Sequence, residues 1–271
     1  MTRTLPRCSW LVACAAVLLA SLAAPPAAAQ SGEEHDVETI EAPAGPPPET
    51  EVEPAEAVDH IVRRTDGFRQ QEGRETLERH EKLMAAAEGF ARYMAEHDRY
   101  GHHADGRAAA ARVADEGYEY CVVTENIAYA FDGGGYESRG LADQFFEGWR
   151  DSPGHRENML GPNVTETGVA VARSEKTGYW YAVQLFGRPR SAAIEFRVAN
   201  ESDASVSYTI GEKRYELPPR YVRRHLRCRP SPLRFDLRGG EAADTTREAV
   251  DGARYNVTES GGELRVEGAG G

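Results

Sequence analysis

Near residue 190 the side-chain pattern changes period, and that switch limits the chain to a two-part fold. Before it, helical spacing dominates. Ile61, Thr65 and Phe68 share one helix face that ends before Gly73, and Leu83, Ala87, Phe90, Ala91 and Met94 mark a longer helix. A short Ala-rich helix is expected over 107–116, stopped by Gly117. Leu141, Phe145 and Trp149 form the face of a further helix, ended by Ser152-Pro153-Gly154. Val164–Arg173 and Gly178–Phe186 read as strands. After residue 190 the period is two: Ile194/Phe196/Val198, Val206/Tyr208/Ile210, Leu233/Phe235/Leu237, Tyr255/Val257 and Leu264/Val266 alternate with polar residues between Gly, Pro and Asp clusters. The expected class is α+β: a mixed region over 57–190 and a small antiparallel β unit over 191–271, with a frayed tail at Gly268–Gly271.

The first 56 residues lack such patterning. Arg3 and Arg7 precede a nearly unbroken apolar run from Trp10 to Ala23, and Ala27-Ala28-Ala29 supplies a small-residue cleavage site before Gln30. Residues 1–29 therefore read as a secretory signal peptide. The run is shorter than the ~20 residues of a membrane span, and no later segment comes close. Leu11-Val12-Ala13-Cys14 resembles a lipobox, but the apolar run continues past Cys14, which would put the modified residue in mid-core. Residues 30–56 read as an acidic, Pro-rich disordered linker. Ser31 to Asp59 holds ten acidic residues, five prolines and no Lys or Arg, too little apolar surface to offset ordering entropy.

The net charge of −12 is mostly the linker's. Loss of Arg3 and Arg7 makes it −14, and residues 60–271 alone carry −4. That balance argues against nucleic acid, which needs clustered Lys and Arg. The expected location is secreted or periplasmic. Cleavage leaves Cys121 and Cys228, candidates for a disulfide in an oxidising compartment. The bridge would close a loop of more than a hundred residues, worth ~4–5 kcal/mol in the chain-entropy model. Two buried thiols are the alternative.

Three polar groups stand at expected element ends, two of them beside glycines. His102 lies in Gly101-His102-His103-Ala104-Asp105-Gly106, Glu125 follows the apolar run Cys121-Val122-Val123, and His155 follows Pro153-Gly154. Two imidazoles and a carboxylate can hold a divalent ion such as Zn²⁺ with one position open. Separations of 23 and 30 residues are no metal motif, so capping or satisfied polar side chains remain the alternative. Arg156 and Glu157 suit a salt bridge near Pro153, and Arg107 and Arg112 suit pinning the Asp105-Gly106 turn or solvating a helix face. Trp180, Ala182, Gln184 and Phe186 share one strand face, where a buried Gln184 amide needs partners and is a candidate cleft residue.

Over residues 57–187 the chain resembles the CAP superfamily (cysteine-rich secretory proteins, antigen 5 and pathogenesis-related 1), in its bacterial SCP-domain branch. The resemblance rests on Thr65–Arg69, Gly101-His102 with Asp105-Gly106-Arg107, Gly117-Tyr118, Glu125-Asn126-Ile127-Ala128, Trp149, Ser152–Arg156 with Asn158, Thr165-Glu166-Thr167-Gly168-Val169 and Gln184-Leu185-Phe186-Gly187, in that order. It implies a three-layer α-β-α sandwich with a cleft at His102, Glu125 and His155. His103 is an alternative for the first position. Eukaryotic members place a second glutamate where this chain has Ser152, beside Asp151, so three ligands are expected rather than four.

The resemblance implies a secreted module that binds a small ligand, lipid-like or other, and/or a divalent metal, without established catalysis. A metal-dependent hydrolase with Glu125 as general base is the alternative, although H-E-x-x-H and G-x-S-x-G are both missing. A Cys121–His155–Asn158 thiol arrangement can be drawn only if Cys121 is free. A structural envelope protein with a vestigial cleft is the third reading.

Overall fold

The structure is a computed structural model that describes residues 37–237 and 246–268, which lie in one compact unit. The expected signal peptide, the first residues of the expected linker and most of the C-terminal tail lie outside the described residues. No described helix is long and apolar enough to cross a membrane.

The first part comprises β1 (Glu38–Thr39), α1 (Pro54–Gln71), β2 (Glu78–Arg79), α2 (Glu81–His97), β3 (Arg99–Tyr100), α3 (Ala109–Asp115), β4 (Tyr120–Ala130), α4 (Ser138–Asp151), α5 (Pro153–Met159), β5 (Glu166–Arg173) and β6 (Trp180–Pro189). A four-stranded sheet runs β2-β5-β6-β4, with β6 antiparallel to both long neighbours and β2 parallel to β5.

Strand alternation divides the core into two layers. Trp180, Ala182 and Phe186 of β6 pack with Ile61 and Phe68 of α1, Leu141, Phe145 and Trp149 of α4, and Met159 of α5. Tyr181, Val183 and Leu185 face the other way, into Leu83, Phe90 and Met94 of α2 and Val113 of α3. Helices thus cover both faces, as the three-layer expectation requires. Pro54 opens α1, where a missing N–H costs nothing. Asp98 ends α2 in the left-handed region (φ 48°), and its buried carboxylate accepts the Thr177 hydroxyl at 2.7 Å. Gly168 of β5 lies where the α2 backbone descends on the sheet. A Cβ there would collide with main-chain atoms of Leu83 and Met84.

The expectation of a disordered linker fails from residue 37 onward. β1 pairs with β3, Ile40 is buried in the α2-side core, and Glu51 N–H donates to the Tyr136 carbonyl. Arg173 Nη2 donates to the Pro48 carbonyl at 2.6 Å. The composition argument weighed apolar side chains, whereas this stretch docks through its backbone and leaves most of its carboxylates in solvent.

The second part contains β7 (Ile194–Asn200), β8 (Val206–Ile210), β9 (Lys213–Leu217), β10 (Val222–Arg227), β11 (Pro232–Asp236), β12 (Thr246–Glu248), β13 (Arg254–Ser260) and β14 (Glu263–Glu267). Two sheets, β10-β7-β13-β14 and β12-β11-β8-β9, enclose one apolar core centred on Phe196, Tyr208 and Tyr255. The pairing is antiparallel except between β13 and β7, which run parallel, a departure from the purely antiparallel expectation. Cys121 at the start of β4 is joined to Cys228, just beyond β10, so the two cysteines are bonded.

Candidate functional site

The site gathers around β4, the edge strand of the first sheet. An open edge leaves backbone groups in need of partners, and here side chains supply them. The Ile127 carbonyl accepts the Trp149 indole N–H at 3.0 Å and the Tyr100 hydroxyl at 3.2 Å. The Glu125 carbonyl accepts the Asn158 amide at 3.2 Å. Burial raises the Tyr100 pKa to about 12, which keeps the phenol a neutral donor.

Glu125 and Asn126 are neighbours in β4 and therefore point to opposite faces. Glu125 faces the α2–α3 layer, buried to 7 % exposure. Its Oε2 accepts Arg112 Nη2 at 2.7 Å and its Oε1 lies 2.8 Å from His102 Nδ1. Arg112 organises this side. Its guanidinium lies over the Phe90 ring at 3.5 Å and donates to Asp105 Oδ1 at 2.9 Å, the Arg107 carbonyl at 2.6 Å and the His102 carbonyl at 3.2 Å. The same cation thus neutralises Glu125 and holds the loop that carries His102. With the carboxylate accepting, His102 Nδ1 carries the proton, and its Nε2 remains available on a half-exposed ring.

Asn126, fully buried, faces the other layer. Its Nδ2 donates to the His155 carbonyl at 3.1 Å and its Oδ1 accepts from Asn158 at 2.9 Å, which ties the start of α5 to β4. The His155 imidazole is lowered below its ordinary pKa, first by burial and then by the charge of His102. It is therefore neutral at pH 7 and within electrostatic reach of His102.

The structure joins His102 to Glu125 by direct contact and places His155 at the same strand. It does not bring in Gln184. That residue pairs with Asn126 across β4 and β6, faces α1, and donates to Thr65 Oγ1 at 3.1 Å. Strand parity puts it on the side opposite Glu125. His102 rather than His103 meets Glu125. Ser152 sits between α4 and α5, where its carbonyl accepts the Arg156 N–H, and the exposed Asp151 pairs with Arg150. Arg156 bridges to Glu72 at 2.8 Å over the Phe68 ring, the structural role expected of it. With Cys121 in a disulfide, the thiol arrangement has no nucleophile.

Glu125 does not suit direct ligation of a metal. Both of its oxygens are engaged, and a second cation would compete with a buried guanidinium for the same charge. Among the described residues, no group of three His, Cys, Asp or Glu side chains is arranged to hold a metal ion. The chemistry left for a metal or polar ligand is that of the His102 and His155 imidazoles, with Glu125 as the partner that orients His102.

Sequence reasoning missed the central role of Arg112 and the roles of Asn126 and Asn158. Arg112 was legible as the partner of the Asp105-Gly106 turn. Its reach to Glu125 depends on α3 packing against β4, which local spacing does not record.

A family model described as the cysteine-rich secretory protein family (CAP) matches residues 62–186. No curated protein matches the chain. Similar solved structures include an outer surface protein from Borrelia burgdorferi (17 % identity, 49 % of this chain and 93 % of that one, TM-score 0.44). A cysteine-rich secretory protein from Staphylococcus aureus is similar at 18 % identity (50 % and 39 %, TM-score 0.38), and an extracellular protein containing a SCP domain from Bacillus anthracis at 23 % (50 % and 41 %, TM-score 0.41). The chain spans about two fifths of the length of the latter two. Residues 62–186 of this chain are a CAP domain of the cysteine-rich secretory protein family.

Proposed function

We propose that this is an exported CAP-domain protein whose β4-edge site binds a small ligand, lipid-like or other, or a divalent metal such as Zn²⁺, through the imidazoles of His102 and His155. The observation that carries the reading is the double engagement of Glu125 by Arg112 and His102. A carboxylate held this way sets the tautomer of His102 and stabilises it as a Lewis base or hydrogen-bond acceptor. The same engagement argues against Glu125 as a general base, which must reach a water molecule with a free oxygen. Export is supported by the leader-like first 29 residues and by the Cys121–Cys228 bond, which needs an oxidising compartment.

Equilibrium dialysis of metal-free mature chain against Zn²⁺ tests the site. One bound equivalent is expected, lost in both His102→Ala and His155→Ala. In Glu125→Gln binding should persist but weaken about 10- to 100-fold, the range expected of an orienting partner rather than a ligand. Full stoichiometry in the His102→Ala/His155→Ala double variant would refute the assignment.

A further inference from the structure

The first sheet leaves part of one strand edge without a partner. β2 pairs with β5 only at Glu166 and Thr167, where the Glu78 and His80 N–H groups donate to the Thr165 and Thr167 carbonyls at 2.9 and 3.0 Å. A strand turns the main-chain groups of alternate residues to opposite edges, so those of Val169 and Val171 point the same way as those of Thr165 and Thr167. The residues between them face β6: Ser174 N–H donates to the Tyr179 carbonyl at 2.8 Å, and Ala172 and Ala170 repeat that parity opposite Tyr181 and Val183. Beyond Thr167 no described strand reaches the outer edge of β5. The N–H and C=O groups of Val169 and Val171 have no hydrogen-bond partner among the described residues. Main-chain groups at strand spacing are thus left open on a strand whose other edge is paired throughout.

This edge forms the floor of a groove of about 480 Å³. α1 supplies one wall through Ala55 and Val58, and α2 supplies the other through Met84. The charged groups of the groove are already matched, Arg79 with Asp59 at 2.6 Å and Arg92 with Glu88 one helical turn away. The groove therefore presents no net charge, and what it lacks is a set of main-chain partners. An extended polypeptide carries donors and acceptors at the same repeat. Because helices stand on both sides, the edge is recessed. The β5 edge of a second copy, recessed in the same way, cannot meet it, whereas a single linker or terminal segment can. The chain's own acidic stretch is committed elsewhere, with the Pro48 carbonyl held by Arg173 and Glu51 by Tyr136. Residues 30–36 hold three acidic side chains and no aliphatic one, which does not suit apolar walls.

We propose that the open β5 edge takes up an extended, uncharged peptide segment of another protein. The segment pairs with the main chain of Val169 and Val171 and turns alternate aliphatic side chains toward Ala55 and Val58. It continues the line that β2 begins, and at ~3.3 Å per residue the run up to Arg173 accommodates about five residues. No group of the imidazole site takes part.

Fluorescence anisotropy of the mature chain with labelled, end-capped peptides that alternate Val, Ile or Leu with Thr tests the proposal. Saturable binding is expected. Methylating every second peptide nitrogen should leave binding intact for one parity and weaken it about tenfold or more for the other, because a strand shows only alternate N–H groups to its neighbour. The Val169 and Val171 amides should exchange hydrogen quickly in the free chain and about tenfold or more slowly with peptide, while Ala170 and Ala172 stay unchanged. Met84→Glu, which sets a charge in the apolar wall, should weaken binding about tenfold at an unaltered thermal melt. No saturable binding by any of the peptides, equal affinity of the two methylated forms, or wild-type binding by Met84→Glu would overturn the proposal. So would Val169 and Val171 amides already protected in the free chain. Protection that grew with protein concentration would give the edge to a second copy, and protection independent of it to the chain itself.

Discussion

Replacing Arg112 with Met isolates the interaction on which the site is built. The side chains of Arg112 and Glu125 are only 5 % and 4 % exposed, and their charged atoms approach to 2.7 Å. Met keeps much of the aliphatic contact with Phe90 but leaves Glu125 as a buried charge whose nearest remaining partner is His102. Removing one member of a buried pair costs about 3–5 kcal/mol, most of it the penalty on the charge left behind. For a domain of this size each kcal/mol shifts Tm by about 2–4 °C, so a fall of roughly 6–20 °C is expected. Adding Glu125→Gln should recover a large part of the loss, because the stranded charge is then gone. Urea unfolding at pH 7, followed by fluorescence, reports on this region, since Trp149 and Trp180 both lie in its core. A loss below about 1 kcal/mol in Arg112→Met, or a double variant no more stable than the single, would show that Glu125 does not depend on this cation.

Two further outcomes concern the second part and its attachment. His225 is lowered from 6.5 to about 4, first by burial and then by Arg223, Arg227 and Lys213. Its folded form binds a proton less readily than its unfolded form, so its contribution is complete above pH ~6.5 and is lost as pH falls towards 4, roughly 3 kcal/mol in all. His225→Gln, which can still accept the Tyr208 hydroxyl bond, should flatten that slope in urea midpoints read from tyrosine near-UV dichroism; an unchanged slope would assign the acid sensitivity elsewhere. The Cys121–Cys228 bond spans 107 residues, so Cys228→Ser should cost ~4–5 kcal/mol, and dithiothreitol should bring the parent to the same stability. Two titratable thiols in denatured, unreduced protein would reject the pairing.

Legibility in the sequence followed how one-sided each element is. α1, α2 and α4 bury one stripe against one layer, so Ile61/Phe68, Leu83/Phe90/Met94 and Leu141/Phe145/Trp149 show at helical spacing. β5 and β6 are buried on both faces and show as apolar runs. β4 escaped notice as a strand because it carries polar residues to both layers, Glu125 to one and Asn126 to the other, which erases the period-two signal and leaves Glu125 looking like the end of an apolar run. β9 and β10 were hidden for a related reason: their residues alternate between core and solvent, but Arg, Lys and Tyr occupy both kinds of position. The parity that the sequence did show in Trp180, Ala182, Gln184 and Phe186 was read correctly as a shared face. It could not reveal that the face belongs to α1 rather than to the Glu125 side of the sheet.

The same strand explains why the site residues come from such distant positions. A central strand would have both edges committed to neighbouring strands, and a buried carboxylate on it would have nowhere to meet a solvent-accessible imidazole. On β4 the free edge is closed by Tyr100, Trp149 and Asn158, each from a different element, and these contacts fix where β3, α4 and α5 meet the sheet. His102 arrives with the loop after β3 and His155 with the start of α5. The meeting of His102 with Glu125 thus follows from where β3 joins the sheet, and the buried Arg112 makes the carboxylate tolerable. The placement of His102 and the stability of this corner therefore rest on the same side chains, so Arg112→Met should disturb His102 and Glu125 together rather than either alone.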